Sequence, residues 1–296
     1  MTVRVGVRGG LSVDHLVLAE EGSRFSQLGG PGLYAALGAR LVAGTAVTLA
    51  TALPRDDPRF QSTFTSLGIE VEHASSVASV PHVWILNSGE SRRIVETTPT
   101  GPTELESPSG GTNPTDAPAA PSFYHQLDGL LESSPLARPP AEGGTIVGID
   151  PHQLPLHREG IGYLEGIVSP GTILLPSRVQ LNLIDPDPRA AARQLSRHFD
   201  TTVYGRLDRD GMYIAQPDTA WILHDNNVRV TETTGAGDSS AAAIIAALAL
   251  GADAPTAALF GASVARIALS GWGDEALRIT EPLVHPLNRI KITQES

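Results

Sequence analysis

Val228 to Ala249 reads VRVTETTGAGDSSAAAIIAALA. Val228 and Val230 alternate around Arg229, as at the end of a strand. Thr231 to Asp238 follow, and then an alanine-rich run without glycine or proline before Gly251 predicts a buried helix. Small residues at the helix entrance let a ligand come close to the backbone. The first-turn N–H groups have no partners inside the helix and the dipole is positive there, so an anion suits the site. Asp238 stands at that entrance. A carboxylate so placed can take a proton from an attacking hydroxyl while the amides hold charge developing on a phosphoryl group. The plainer reading of the same residues is a glycine loop with Asp238 capping a helix.

A length of 296 residues fits one large domain, or one domain with a small appendage, and can bury a substantial core. No run approaches a membrane span, and MTVRVGVRGG at the N-terminus lacks the apolar segment of a secretory signal. The absence of cysteine excludes a disulfide framework and any thiolate metal site, which fits a cytoplasmic protein. A net charge of −11 argues against a nucleic-acid partner. An anionic nucleotide would have to be held by local donors.

Outward from the central stretch, Val3, Val5 and Val7 alternate into a first strand that ends at Gly9-Gly10, with Asp14 soon after. Alone, Asp14 reads better as a solvated turn carboxylate. Gly29-Gly30-Pro31 opens a helix over 32–42, with proline suited to its start. Strands are expected at 45–53 and 69–72, with a helix at 58–67 between them. His82–Leu86 and Arg93–Glu96 form a hairpin around Asn87-Ser88-Gly89-Glu90. Residues 97–121, rich in Thr, Pro, Ser and Gly, read as a long loop, with SFYHQL (122–127) as the remnant of a core strand. TIVGID (145–150) is a continuous apolar run of the kind found in central parallel strands, and GTILLP (171–176) is the next. A helix over 188–199, a strand over 201–206, the turn RLDRDG (206–211), a hairpin and a final small-residue helix over 255–269 complete the alternation. Strands alternating with helices predict a parallel sheet covered on both faces.

TETTGAGD followed by SSAAAIIAALALG resembles the C-terminal signature of the ribokinase-like (PfkB-type) carbohydrate kinases, D-T-T-G-A-G-D, with Glu232 replacing the first aspartate. LGGPGLYAALGARLVAG (28–44) resembles the family's N-terminal G-G-x-x-x-N-x-A, with Tyr34 where many members have asparagine. The resemblance implies an α/β fold: a ribokinase-like three-layer α/β/α sandwich, one kinase domain over 1–296, with a small β lid from segments around 11–30 and 82–97. It makes Asp238 the catalytic base and Gly235, Ala236 and Gly237 the anion hole. Asp14, Gly29, Gly30, Tyr34 and Arg93 fall to the acceptor, and Thr233, Thr234, Arg206 and Ala262 to the nucleotide. Arg92 and Arg93 read otherwise as solubilising strand arginines, and Ala262 as core packing. The implied cofactors are ATP and Mg2+, with no metal bound by the protein's own ligands, and the implied assembly is a homodimer through the lid.

Three departures from the family pattern stand out. The arginine expected shortly after Asp150-Pro151-His152, which resembles the family's D-P-N, is missing, with Leu154 and Pro155 in that region. Ser177 and Gln180 occupy the N-x-x-E positions, and glutamine lacks the charge a carboxylate brings to a hard cation. Asp208 replaces a glycine of T-x-G-x-x-G. The favoured expectation is ATP-dependent phosphorylation of a hydroxyl on a sugar, polyol or nucleoside. The alternative is a catalytically weakened relative that binds a sugar or nucleotide in a regulatory role. A Rossmann-type oxidoreductase is disfavoured, because no G-x-G-x-x-G follows the first strand.

Overall fold

Strand Val3–Arg8 buries Val3, Val5 and Val7 completely on one face, while Gly6 on the other leaves room for Leu127 and Phe123. A Cβ at Gly6 would lie 2.6 Å from Leu127 Cδ1. The structure is a computed structural model that describes residues 2–88, 92–98, 101–105, 119–140 and 142–295. Among these, Val3–Arg8 lies in a nine-stranded sheet. Its parallel part runs from Thr45–Ala50 through Val3–Arg8, Gly129–Ser133, Ile146–Asp150 and Ile173–Leu174 to Val203–Arg206. Met212–Ala215, Ala220–His224 and Lys291–Glu295 extend it antiparallel.

Successive strand residues point to opposite faces, and both faces are covered. Tyr204 and Ile214 join the core under helices Pro31–Arg40, Ala236–Ala249 and Ala254–Leu269. Val203 and Tyr213 join the core under Gln153–Glu159, Ile161–Ile167 and Pro188–Phe199. This is the three-layer α/β/α sandwich. Ala236–Ala249 is apolar all round and central, as such a helix must be. Its small side chains let neighbours close in: a Cβ on Gly38 would meet Ser239 O at 2.2 Å. That close crossing joins the segment after Gly29-Gly30 to the segment carrying Asp238.

A second sheet of five strands runs Gly22–Gly29, Ser12–Leu18, His82–Asn87, Arg92–Thr98, Gly101–Glu104. Leu16, Val83 and Ile85 pack on its inner face with Ile94, Leu105 and Trp272. On the outer face His15 stacks on Trp84 at 4.5 Å and on His82 at 5.2 Å, beside a Phe25 that is 54% exposed.

Several expectations need correction. Val228–Val230 forms no strand: the edge of Ala220–His224 is taken by Lys291–Glu295, and Val230 stays half exposed. Residues 69–72 contribute one bridge, Thr48 to Glu70. The strand expected over 171–176 shrinks to Ile173–Leu174. SFYHQL holds a 3-10 turn over Pro121–Tyr124, because Phe123, Tyr124 and Leu127 cover the sheet beside Gly6; the core strand is Gly129–Ser133. The loop expected over 97–121 includes the strand Gly101–Glu104, whereas 106–118 lie outside the described residues, as do Gly89–Ser91 of the hairpin turn. No helix among the described residues is long and apolar enough to cross a membrane.

Candidate active site

Gly235 takes a left-handed conformation, φ 73, and opens the helix Ala236–Ala249 with no side chain capping its amides. The turn before it is organised by Glu232, which is buried and accepts from Thr234 N at 2.7 Å and Thr234 Oγ1 at 2.5 Å. Glutamate here holds the threonine turn itself. The Thr233 hydroxyl is buried without a partner. Asp238 sits in the helix's first turn and is partly exposed. Burial, and then the charge of Asp150, push its pKa up to about 6 against the opposing pull of Arg206 and Arg92. It therefore sits near the range suited to a general base.

Arg206 ends the strand Val203–Arg206 and reaches this entrance. Its Nη2 donates to Asp150 Oδ2 at 2.7 Å and to Leu175 O at 2.6 Å. Its Nη1 lies 3.0 Å from where a Cβ on Gly237 would be. Gln180 Nε2 donates to Asp150 Oδ1 at 3.2 Å and to Pro151 O at 2.5 Å, while its Oε1 and backbone complete a capping box with Ser177. Arg206 is thus held against Asp150 from another strand of the same sheet. Asp208 adopts φ 51 where the family has glycine, and pairs with Arg178 at 3.2 Å, outside the cluster.

On the acceptor side, Asp14 is 2% exposed and accepts from Ser12 Oγ at 2.6 Å. Burial outweighs that hydrogen bond and, with Glu232 and Asp238 nearby, raises its pKa to about 7. Gly29 is glycine because a Cβ there would fall 2.0 Å from Asp14 Oδ2. Gly30, φ 97, starts the helix Pro31–Arg40. Tyr34 is fully buried, and its ring lies over Gly235, 2.1 Å from a Cβ placed there. Its hydroxyl has no hydrogen-bond partner among the described residues, and burial, then the charges of Asp14, Glu232, Asp274 and Asp238, hold its pKa well above the usual tyrosine value. Tyr34 therefore packs the start of the helix Pro31–Arg40 against Gly235 at the start of Ala236–Ala249.

Two expected residues are not brought here. Arg93 faces outward, 2.7 Å from Glu104 Oε2 and 64% exposed. Its neighbour Arg92 acts electrostatically on both Asp14 and Asp238. Strand alternation separates the two, since Ile94, on the same face as Arg92, packs with Leu16. Ala262 packs partly buried on the main core, beside a Gly261 whose Cβ would meet Ile244 at 2.6 Å, so the small residues of that helix serve packing. Sequence reading also missed Asp274, buried and paired with Arg278 Nε at 3.0 Å, and the close approach of Gly273 to the Tyr34 hydroxyl.

A helix entrance without a cap, an orphaned Thr233 hydroxyl and a fixed guanidinium fit a polyanion such as a nucleotide's phosphates. The donor set suits a protein-held divalent ion poorly. Gln180 is neutral and committed to Asp150, and Asp150 is already paired with Arg206.

Residues 182–277 match the family model described as pfkB family carbohydrate kinase. A curated relative from Archaeoglobus fulgidus, described as an uncharacterized sugar kinase, is 28% identical over 128 residues, 43% of this chain. The chain spans about half, 51%, of that relative's length. Ribokinase from Cryptococcus neoformans var. grubii serotype A, solved in complex with ADP, matches with a TM-score of 0.72 at 17% identity, over 96% of this chain and 98% of that one. Adenosine kinase from Sinorhizobium meliloti matches at 0.70 and 15%, over 96% and 97%. Nucleoside kinase from Methanocaldococcus jannaschii matches at 0.66 and 16%, over 96% of each chain.

Proposed function

We propose that this chain, ribokinase-like in fold and matched by the pfkB family carbohydrate kinase model over residues 182–277, transfers a phosphoryl group from ATP to a hydroxyl of a sugar, polyol or nucleoside. The observation that carries this reading is Asp238, raised to about 6, at the mouth of an uncapped helix beside a buried arginine. Asp238 accepts the acceptor's hydroxyl proton as that oxygen bonds to the γ-phosphorus. The bond from phosphorus to the β–γ bridging oxygen breaks, and its electron pair leaves with ADP. The amides of Gly235, Ala236 and Gly237 stabilise the transferring group. Asp14, with Gly29 making room for its carboxylate, orients the acceptor, and Thr233 and Thr234 border the nucleotide. The second sheet acts as a lid that carries Asp14 and Arg92 and excludes water when closed. With ATP as donor, the setting is the cytoplasm. Acceptor-dependent ADP release tests the reading.

A bound magnesium ion supplies charge neutralisation of the nucleotide's phosphates. With Gln180 neutral and Asp150 paired, the metal is expected to enter with the nucleotide. Calorimetry with magnesium alone should then show negligible heat; a tight stoichiometric site in the nucleotide-free protein contradicts this.

The second reading, a regulatory binder, draws on Gln180 in place of a carboxylate. Arg206 beside Asp150 weighs against it, since it restores a cation near Asp238.

The lid's outer face points to assembly. His15, Phe25, His82 and Trp84 make a continuous aromatic surface, and a symmetric dimer of two lids would cover both copies. Light scattering is expected to give about 62 kDa, twice the chain's 31.0 kDa. A monomer whose Trp84→Glu variant is equally soluble and stable refutes the dimer.

A further inference from the structure

Resting on the kinase reading, we infer that Arg206 is a catalytic residue: a pre-oriented cation that grips the γ-phosphoryl group and makes the site select a triphosphate over a diphosphate. Carboxylates crowd around Tyr34 and the helix entrance, namely Asp14, Asp150, Glu232, Asp238 and Asp274, in a chain of net charge −11. A polyanion arriving there meets repulsion unless a local cation opposes it. Arg206 is built for that work. Its side chain is 11% exposed, and Nη2 spends its hydrogen bonds on Asp150 Oδ2 and Leu175 O. Nε is buried with no partner, and Nη1 lies across the mouth of the helix Ala236–Ala249 at Gly237. The guanidinium is therefore fixed from behind and presents Nη1 beside the amides of the anion hole. A charged N–H held in place suits an oxygen of a phosphoryl group.

Gln180 gains a role from the same geometry. Holding Asp150 from its other oxygen, it fixes the carboxylate that fixes Arg206. The position where the family carries a carboxylate here supports an arginine, so fixed charge from the protein replaces part of what a carboxylate-bound ion would bring. Arg206 touches the transferring group; Asp150 and Gln180 are positioning residues that act through it.

Removing Arg206 alone would strand Asp150 as a buried anion, so the test compares Asp150→Asn/Arg206→Met with Asp150→Asn. Calorimetry measures a non-hydrolysable ATP analogue and ADP, each with magnesium. Loss of Arg206 is expected to weaken the ATP analogue by about tenfold or more, the scale of a charged hydrogen-bond pair, while changing ADP far less. Turnover should fall by about 10²–10³-fold, as when one donor to a developing charge is lost. Arg206→Lys, which keeps the charge without the fork, should recover part of both and serves if the double variant does not fold. A purely structural arginine would change the unfolding temperature but leave the ratio of the two affinities untouched. That outcome overturns the assignment and spares the kinase reading. A wild-type protein that binds neither nucleotide removes the kinase reading and this assignment with it.

Discussion

Asp238→Asn is expected to lower turnover by about 10²–10⁴-fold, the range for loss of a general base, while nucleotide binding survives. Asparagine keeps the shape and removes only the proton acceptor. The fold should tolerate it well, because ionised Asp238 is held at a cost: burial and Asp150 raise its pKa to about 6 in spite of two arginines. Asparagine carries no charge to desolvate, so the variant should unfold no earlier than wild type above that pH. For this group the folded-state pKa lies above the unfolded value. Its contribution to stability is therefore present in full below pH 3.8 and is lost as pH rises through about 6. Near-normal turnover in the variant excludes Asp238 as the base.

Gly235→Ala should damage the fold and the site together. Two separate costs meet there. At φ 73 an alanine sits in a left-handed conformation that costs about 1 kcal/mol or more. Its Cβ would also fall 2.1 Å from the Tyr34 ring, a contact no small adjustment relieves. Tyr34 is fully buried in a close-packed core, so ring and anion hole must move apart, adding about 1–3 kcal/mol. Thermal unfolding should report the summed loss, and turnover should drop with it because the displaced amides are those proposed to face the phosphoryl group. Tyr34→Asn relieves the clash but empties a fully buried site, so it destabilises in its own right. The double variant is therefore expected to lose less than the sum of the two single variants, as a coupling in a double-mutant cycle. Simple additivity would show that the ring does not dictate glycine at 235.

That contact marks where sequence reading stops. Thr233 to Asp238 were legible as a turn opening a buried helix with a carboxylate in its first turn, because those residues are contiguous. The alternation of Val3, Val5 and Val7 and the apolar run to Asp150 announced the sheet for the same reason. Gly235 was read as space for a ligand, whereas its nearest occupant is Tyr34, some two hundred residues away along the chain and brought in by the crossing at Gly38 and Ser239. Arg206 was assigned to the nucleotide by its neighbourhood in sequence, but its partnership with Asp150 depends on the order of strands in the sheet. Gln180 looked like a loss because its compensation lies on another strand. Arg93 was chosen over Arg92 without a way to know which face of the strand was inward, a choice that a one-residue shift reverses. Val228 and Val230 alternate as a strand would, yet the available edge is occupied by the last residues of the chain. Gly101–Glu104 was hidden by its own proline, tolerated because the strand lies at the edge of the second sheet.

The central claim is that a hydroxyl deprotonated by Asp238 takes the phosphoryl group of ATP. ADP release, followed across a panel of sugars, polyols and nucleosides at a series of pH values, tests it most directly. Release should depend on the acceptor and, for the best acceptor, kcat/KM should rise with pH through about 6 as the Asp238 carboxylate ionises, then level. ADP release that is absent with every acceptor while ATP binds, or that is indifferent to acceptor and unchanged in Asp238→Asn, would contradict it.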